Sequence, residues 1–324
     1  MITNPLVSVI IPCRNAVAWL GEAIESCLGQ TWRNVQIVVI DNGSVDGSLQ
    51  FAKRYASRGV VVLECAREGA SAARNAGLAQ ARGDLIQFLD ADDVLDHDKI
   101  RVQVEQLAHA PDASLASGAW ARFRHNSSEA AFVPEPVWRN FEPHEFLISS
   151  WLGGGMMPSF AWLTPRALIE RAGHWNERLS LNDDGEFFSR VVLAASSVIF
   201  CGDAQGYYRT TDHPSISKRC DHDALASGFI AIDLSCRHLL QHCTSPAAAK
   251  ACATQYQRFA YDAYPYAPDL VAEAERRSIE LGGSELRPGG GRAFQTLNHI
   301  FGWKFGKRCQ SALRKLHERA AAPR

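Results

Sequence analysis

The sequence predicts an α/β fold in which helices cover both faces of a mostly parallel sheet and a helical extension follows at the C-terminus. Between residues 6 and 98, apolar runs rich in Val and Ile alternate with stretches that carry apolar residues at helical spacing. Strictly alternating strands and helices are typical of parallel sheets that are buried on both faces. After about residue 220 the chain becomes rich in Ala, Arg and Leu, a composition that favours helix.

The elements can be assigned in chain order. The first four predicted strands are "LVSVIIP", "VQIVVI", "VVVLECA" and "DLIQFL". The helices between them are predicted at 16–30, 48–58 and 70–81, and we expect Ser44 or Asp46 to cap the second one. Farther along, the sequence predicts a strand in "SLASGAWARF", a helix in "LNDDGEFFSRVVLA" and a short strand in "SVIFCG".

Polar segments follow three of the predicted strands. The first strand ends in "PCRN", the second in "DNGS" and the fourth in "DADD". Ligands of open α/β sheets bind outside the carboxyl ends of the strands. Because those ends lie at one edge of a parallel sheet, we expect the three segments to converge on a ligand site.

Composition excludes several classes of protein. The 324 residues carry a formal net charge of −1, so a broad basic surface and a nucleic-acid partner are not expected. No apolar stretch approaches the ~20 residues that span a bilayer, and the N-terminus lacks the features of a signal peptide. The nine cysteines include no CxxC pair, which favours reduced thiols over disulfides or zinc.

The stretch "FLDADDVLDHD" places a cluster of carboxylates at the end of the fourth strand. Carboxylates that repel one another at a buried strand end are costly without a cation. Asp90 and Asp92 can hold Mg²⁺ or Mn²⁺ against a phosphate, since Mg²⁺ typically uses one or two protein carboxylates. The alternative is that these acids cap and begin the next helix, a role we assign to Asp93, Asp96 and Asp98.

Several motifs in order resemble glycosyltransferase family 2. They are "VSVIIPCRNAVAWLGEAIESCLGQTWRNVQIVVIDNGSVDGS" and "GASAARNAGLAQARGDLIQFLDADD", followed more thinly by "NDDGEFFSR" and "YYRTTDHPSIS". The resemblance implies a GT-A fold with a Rossmann-like, mostly parallel sheet, and an inverting sugar transfer. We therefore expect a catalytic domain at 1–220, divided into a nucleotide-binding half at 1–98 and an acceptor half at 99–220, and a helical extension at 221–324.

The resemblance also implies roles for individual residues. Asp90 and Asp92 match the family's DxD motif, with Asp92 as the more direct metal ligand. His213 lies where relatives place a basic loop near the diphosphate, so it is either a further metal or donor contact or an exposed loop residue. The implied donor-binding residues are Pro12, Arg14, Asn15, Asp41, Asn42, Arg74, Asp90, Ala91 and Asp92.

Two positions depart from the family's pattern. Arg14 replaces an aromatic residue that stacks on the base in many relatives, and a guanidinium plane can also stack. Asn42 replaces an aspartate, and its amide both donates and accepts hydrogen bonds. We therefore expect a UDP- or dTDP-sugar and do not choose between them.

The catalytic base is expected in "LNDDGEFF". By position in the family's motif it is Asp184, and the neighbouring Asp183 would raise one pKa of the pair. A carboxylate in this role takes the proton of the acceptor hydroxyl, and Asp183→Asn is expected to be milder than Asp184→Asn. The alternative is that both acids only begin a helix.

The C-terminal segment "GWKFGKRCQSALRKLHER" is basic and partly amphipathic. A helix of this kind can lie on an anionic membrane, pack on the catalytic domain or present a solvated face. We expect a cytoplasmic protein, and the first of these alternatives would place the segment at the inner face of the membrane. The basic residues are Lys304, Lys307, Arg308, Arg314, Lys315 and Arg319.

Taken with the resemblance, the residues predict a metal-dependent hexosyl- or deoxyhexosyltransferase. Its acceptor would be a hydroxyl of a glycan, a lipid-linked sugar or another molecule in cell-surface polysaccharide or glycoconjugate synthesis. One alternative is a nucleotidyltransferase, although "PCRNAVAW" lacks the Gly-rich basic loop that binds a triphosphate. The other is a non-catalytic nucleotide-sugar or glycan-binding protein, against which Asp90, Asp92 and Asp184 argue.

Overall fold

The computed structural model describes residues 4–211 and 219–309, and the strands in these ranges form two sheets. The strands are β1 (Val7–Cys13), β2 (Val35–Asp41), β3 (Val61–Glu64), β4 (Leu85–Phe88), β5 (Val94–Leu95), β6 (Leu115–Phe123), β7 (Thr164–Pro165) and β8 (Val198–Arg209). The larger sheet has the order β3-β2-β1-β4-β7, with only β7 antiparallel to its neighbour. The smaller sheet has the order β5-β8-β6, with β6 and β8 parallel.

Helices separate the strands and make up the C-terminal part of the described chain. The longer ones are α1 (Leu20–Leu28), α2 (Ser48–Lys53), α3 (Ala70–Gln80), α4 (Lys99–His109), α5 (Pro143–Ser149), α6 (Arg166–Ala172), α7 (Asp183–Ala194), α8 (His222–His242), α9 (Pro246–Ala263), α10 (Pro268–Glu280) and α11 (Arg292–Phe301). None of the described helices combines the length and apolar composition that a membrane crossing requires.

Successive residues of β1 face opposite layers of the core. Val9 and Ile11 pack in one cluster of buried side chains with α1, whereas Ile10 packs in a second cluster with Phe88 of β4. Because side chains alternate along a strand, both faces of the larger sheet are covered. The predicted α/β layering is confirmed.

The C-terminal helices share a core with the sheet. Leu239 of α8, Cys252 of α9 and Val271 of α10 belong to the same buried cluster as Ile10 and Phe88. The extension therefore packs directly on the sheet-containing half of the molecule. A boundary at residues 220 and 221 stays a prediction.

The first helix begins later than its hydrophobic pattern predicts. It starts at Leu20, and the amides of Ala16 and Val17 instead donate to Ser48 Oγ at 2.9 Å and Asp46 Oδ2 at 3.0 Å. The segment before α1 is thus held by the β2–α2 loop. The N-cap of α2 is Gly47, with a φ of 91°, rather than Ser44 or Asp46, but Asp46 Oδ1 accepts the first backbone amide of the helix, that of Ser48, at 3.0 Å.

Candidate active site

The loops after β1 and β2 are joined by reciprocal hydrogen bonds. The backbone amide of Asn15 donates to Ser44 Oγ at 3.0 Å, and the backbone amide of Val45 donates to Asn15 Oδ1 at 2.8 Å. Asn15 has a φ of 51°, a conformation that Asn tolerates better than most residues. Its side chain therefore holds the two loops together at the carboxyl edge of the sheet.

Asp41 ends β2 with an unsatisfied acceptor. The residue is 4% exposed, and its Oδ2 accepts the Ser44 amide at 3.1 Å. Its Oδ1 is buried without a hydrogen-bond partner among the described residues. Because a buried carboxylate oxygen is costly without a donor, this atom is suited to accept a hydrogen bond from a ligand N–H or O–H.

Asn42 has a structural role that its sequence position does not reveal. Its Nδ2 donates to the carbonyls of Cys65 and Arg67 at 3.3 and 2.7 Å, and its Oδ1 accepts the Gly69 amide at 2.9 Å. Because the Asn42 side chain both donates and accepts, it fixes the β3–α3 loop. An aspartate could accept only the Gly69 bond, so Asn suits this loop, and a contact with the donor stays a prediction.

The two remaining residues of the first-strand segment differ in exposure. Pro12 lies within β1 opposite Ile40 and is partly exposed. Arg14 is exposed, and its Nη2 lies 3.6 Å from Glu68 Oε1. An exposed ion pair of this kind contributes little stability, so the Arg14 guanidinium remains available to stack on a base.

Arg74 of α3 joins two acidic segments that are far apart in the chain. Its Nη2 donates to Asp90 Oδ1 and its Nη1 donates to Asp183 Oδ2, both at 2.9 Å. Its guanidinium carbon lies 4.5 Å from the centre of the Trp175 ring. Burial opposes the charge of Arg74, but the nearby carboxylates outweigh burial and raise its pKa. Arg74 is therefore a buried, permanently charged link between the end of β4 and the start of α7.

Two serines complete this link. The Ser71 hydroxyl donates to Asp183 Oδ2 at 2.8 Å, and the Ser159 hydroxyl lies 3.5 Å from Asp90 Oδ2. Each carboxylate therefore has one charged and one hydroxyl neighbour. Ser71 precedes Arg74 by three residues on the same helix face, so helical spacing could have identified it. Ser159 and Trp175 are distant in sequence, and no local pattern marks them.

Asp184 differs from Asp183 in its surroundings. It is half-buried, and its Oδ1 accepts the Gly185 amide at 2.8 Å, but it forms no ion pair with a described residue. Burial and the charge of Asp183 raise the pKa of Asp184 to about 6, although Arg74 opposes the shift. A carboxylate with this pKa is ionised at neutral pH and can accept a proton, as a general base must.

Asp92 is the carboxylate of the "DADD" segment best suited to a cation. Burial and the charge of Asp90 raise its pKa to about 6, and it forms no ion pair within the described part of the chain. Asp90, in contrast, is already bonded to Arg74. Residues 4–211 and 219–309 contain no group of three or more His, Cys, Asp or Glu that could hold a metal. Asp90 and Asp92 therefore fit Mg²⁺ or Mn²⁺ only if a ligand supplies further oxygens. Ala91 between them is buried.

The next acids have other roles. Asp93 is 2% exposed and accepts the Arg209 amide at 2.8 Å, so its assignment to the start of a helix is wrong. Arg209 also donates from Nε to the Asp92 carbonyl at 2.8 Å and forms an ion pair with Glu22. This arginine connects the smaller sheet to the acidic segment. Asp98 precedes α4 as predicted, but it accepts Thr31 and Arg101 side chains rather than a helix amide.

Some of the predicted residues cannot be compared with the structure. His213 lies outside the described residues, as do Arg314, Lys315 and Arg319 of the basic C-terminal segment. Of the predicted site residues that are described, Asp90, Arg74 and Asp183 are in direct contact. Asn15, Asp41 and Asn42 form a second group at the neighbouring strand ends.

The fold is similar to that of solved structures of TarS. The chain superimposes on Staphylococcus aureus TarS 1–349, solved in complex with UDP-GlcNAc, with a TM-score of 0.61 and 16% sequence identity. The match covers 87% of this chain and 93% of that structure. The expected GT-A type of α/β fold is confirmed.

Sequence relatives match between about one third and two thirds of the chain. A Haemophilus influenzae glycosyltransferase is 39% identical over 103 residues, which is 31% of this chain and 41% of the relative. Streptococcus pneumoniae GlyA is 27% identical over 223 residues, 64% of this chain and 31% of the relative. S. pneumoniae GlyG is 27% identical over 217 residues, 64% of this chain and 71% of the relative. The chain thus spans less than two thirds of the first two relatives.

The family model described as glycosyl transferase family 2 matches residues 8–170. This range contains the interlocked strand-end loops, Arg74 and the "DADD" segment, and it lies in the sheet-containing half. Because the match covers half of the chain, the protein belongs to glycosyltransferase family 2.

Proposed function

We propose that this glycosyltransferase moves a hexosyl or deoxyhexosyl group from a nucleotide-sugar to an acceptor hydroxyl with inversion at the anomeric carbon. The observation that carries the proposal is the Asp90–Arg74–Asp183 link, which holds the ionisable Asp184 beside the strand ends of a nucleotide-binding fold. The similar TarS structure binds UDP-GlcNAc, which supports a UDP-sugar donor here. The acceptor would be a glycan or a lipid-linked sugar of a cell-surface polysaccharide or glycoconjugate.

The donor would occupy the carboxyl edge of the larger sheet. Asp41 Oδ1, buried and unpaired among the described residues, would accept an N–H of the base, and Arg14 would stack on it. Asn15 would hold the pocket wall through its bond to the Val45 amide. This base N–H is present in both uracil and thymine, so the site suits UDP- and dTDP-sugars alike.

Asp184 would act as the general base of an in-line displacement. It would take the proton of the acceptor hydroxyl while that oxygen attacks the anomeric carbon, a contribution of typically ~10²–10⁴ in rate. Asp183 would keep Arg74 in place rather than take part in proton transfer. Arg74 would present a fixed positive charge at the diphosphate end of the donor site.

A divalent cation, Mg²⁺ or Mn²⁺, would be held by Asp92 with support from Asp90. When bound, it would neutralise the charge that develops on the diphosphate leaving group. Asp92→Ala should abolish transfer and leave the fold intact, because a partly exposed residue at a strand end contributes little to the core. EDTA should have the same effect on the wild type. Full activity of Asp92→Ala in EDTA-treated buffer would contradict the metal role.

The proposal is tested by incubating the protein with UDP-, dTDP- and GDP-sugars and Mn²⁺ and measuring nucleoside diphosphate release. Asp184→Asn is the matched control, since it preserves shape and should lose most of the turnover. The family match gives no support to a nucleotidyltransferase, and pyrophosphate release from nucleoside triphosphates tests for one. Release that is equal in wild type and Asp184→Asn would contradict the proposed base.

We also propose a cytoplasmic location with peripheral binding to anionic membranes through the end of the described chain. Ile300, Phe301 and Phe305 are exposed there, next to the exposed cations Lys304 and Arg308. Exposed apolar side chains beside cations favour an anionic lipid surface. The protein should co-sediment with vesicles that contain phosphatidylserine and dissociate as salt rises.

Phe301→Ser with Phe305→Ser should weaken this sedimentation. Ile279→Ser is the control, because Ile279 is exposed on α10 outside the segment. Equal sedimentation with neutral phosphatidylcholine vesicles, or none with either lipid, would contradict membrane binding.

A further inference from the structure

A cavity of about 190 Å³ lies against the smaller sheet, outside the residues assigned to donor or catalysis. Pockets that hold a whole drug-sized ligand are typically about 300–1,000 Å³. A cavity of this size therefore accommodates one unit of a larger ligand. Its walls are Trp120, Ala121, Arg122, Ala131, Val133 and Glu135.

Arg122 provides the positive charge of this cavity. Its guanidinium carbon lies 4.9 Å from the centre of the Trp120 ring and 5.8 Å from that of Tyr208. The side chain is exposed; burial raises the pKa of the nearby Glu135 carboxyl and the charge of Arg122 opposes this rise, but no direct ion pair joins Arg122 to a described carboxylate. A guanidinium that is oriented by aromatic rings and makes no direct ion pair is suited to bind an anionic group through two N–H donors.

Glu135 provides an acceptor in the same cavity. Its Oε2 accepts the Met156 amide at 3.1 Å, and the side chain of Trp120 also hydrogen-bonds to the carboxylate. The carboxylate packs against Gly155, which has a φ of 115° and leaves no room for a Cβ. The loop and the carboxylate thus fix one another, and because a carboxylate can accept about four hydrogen bonds, Glu135 can also accept a ligand hydroxyl.

The cavity adjoins the acidic end of β4. Met156 belongs to the same loop as Ser159, whose hydroxyl lies 3.5 Å from Asp90 Oδ2. Tyr208 forms the other connection: its ring lies 6.1 Å from that of Trp120, and burial together with Asp93, Asp90 and Asp92 raises its pKa. A ligand unit in the cavity would therefore be a neighbour of the reacting groups rather than of the base pocket.

We propose that the cavity is an acceptor subsite for a sugar unit that carries an anionic group, a phosphate or a carboxylate. The anionic group binds Arg122, and a hydroxyl of the same unit donates to the Glu135 carboxylate. This inference rests on the proposed function, because it assigns the acceptor side of the same reaction. It also defines the chemistry of the acceptor, a charged rather than a neutral saccharide.

The test measures binding of three probes by ligand-observed NMR: glucose 6-phosphate, methyl glucuronide and the neutral methyl glucoside. Wild-type protein should bind one or both anionic sugars at least about tenfold more tightly than the glucoside, as expected for a charge-assisted pair. Arg122→Gln should lose this preference, and Glu135→Gln should weaken all three probes. Comparison of glucose 6-phosphate with methyl glucuronide shows whether the site prefers a phosphate or a carboxylate.

Arg139→Gln is the matched control, since Arg139 is also an exposed arginine over a ring, 3.9 Å from the centre of Phe141, but lies outside the cavity. Equal affinity for charged and neutral sugars, or an unchanged preference in Arg122→Gln, would overturn the inference. Titration of UDP and dTDP in the same samples distinguishes failure of the acceptor subsite from failure of the proposed function. Nucleotide affinity should be equal in wild type and Arg122→Gln, whereas wild-type protein that binds neither nucleotide would contradict the donor site instead.

Discussion

Arg74 and Lys99 are both buried cations, but the protein surrounds them differently. Arg74 is 6% exposed and donates to the carboxylates of Asp90 and Asp183. Lys99, the first residue of α4, is 0% exposed, and its ammonium donates at 2.6 Å to the amide oxygens of Gln87 and Gln103. One cation therefore has two counter-charges, and the other has two neutral acceptors.

The difference appears in the pKa values. The carboxylates around Arg74 outweigh burial and raise its pKa, whereas burial lowers the pKa of Lys99 to about 7. Gln87 and Gln103 also donate to the carbonyls of Phe160 and Ala161, at 2.8 Å each. Lys99 thus positions the segment that carries Ser159, while Arg74 keeps a charge at the reacting edge.

Replacement of Arg74 should have the largest effect. Arg74→Met leaves Asp90 and Asp183 without their cation, and breaking a buried ion pair by removing one partner costs about 3–5 kcal/mol. We expect this loss in the free energy of unfolding from urea titration, together with loss of donor turnover. Arg74→Lys is the control that keeps the charge but cannot bond both carboxylates in the same geometry, so it should be intermediate. Stability within about 1 kcal/mol of wild type in Arg74→Met would contradict the linking role.

The two acids at the start of α7 should separate stability from catalysis. Asp184→Asn should lower kcat by roughly 10²–10⁴ and leave nucleotide affinity and stability unchanged or slightly increased, because it removes one of two repelling charges. Asp183→Asn should lower the free energy of unfolding, because Arg74 and Ser71 both bind that carboxylate. The milder effect on turnover that the sequence predicts for Asp183→Asn stays a prediction. Near wild-type kcat in Asp184→Asn with an inactive Asp183→Asn would place the base one residue earlier.

Arg74 also lowers the pH at which Asp184 ionises, against the larger effects of burial and Asp183. Activity should rise with pH through about 6, since the base must be deprotonated and its pKa is raised to about that value. Burial and Asp183 raise this pKa, Asp90 adds to the shift, and Arg74 opposes it. The profile of kcat/KM against pH between 5 and 8, measured with saturating Mn²⁺, gives the value, and Asp184→Asn should have a shallower acid limb, because only the ionisation of Asp92 remains. A wild-type profile without a fall below pH 6 would contradict the assignment.

The sequence predicted the strand ends well because their chemistry is local. The "DNGS" and "DADD" segments directly follow buried strands, so periodicity alone brought Asp41, Asp90 and Asp92 to one edge of the sheet. Contacts between distant segments were not predictable in this way. The partners of Arg74 lie 16 and 109 residues away, and only tertiary packing selects them.

Burial of charge was the least predictable feature. Lys99 lies in "DHDKIRV", where the neighbouring acids indicate a solvated helix start, yet Lys99 is enclosed by β4 and α4. From the sequence, Asn42 was likewise expected to replace an aspartate that contacts the donor, but its side chain holds the β3–α3 loop. In both cases the side chain's partners lie on elements whose positions the sequence pattern does not specify.

The smallest expected effect concerns Lys99 and the pH dependence of stability. Its folded pKa of about 7 lies below the ordinary ~10.4 of lysine, so the unfolded chain binds more protons between these values. The free energy of unfolding contributed by this group therefore rises with pH in that window, by about 2 kcal/mol from pH 7 to pH 9. Lys99→Met should lose the rise, which urea titrations at several pH values would detect.

The level of stability in Lys99→Met is not diagnostic, because Gln87 and Gln103 lose a donor and each unsatisfied acceptor costs about 1–3 kcal/mol. The change with pH in the free energy of unfolding is diagnostic. The titratable groups that face Lys99 are Cys27 and Cys201, whose pKa values burial raises, and because both proteins contain them, they do not cause a difference between the two slopes. Arg74→Lys serves as the contrasting variant: a lysine between Asp90 and Asp183 should keep its proton and add no such slope. If the free energy of unfolding changed equally with pH in Lys99→Met and wild type, the Lys99 ammonium would still be charged at pH 9. Two glutamine oxygens would then suffice to stabilise a buried cation.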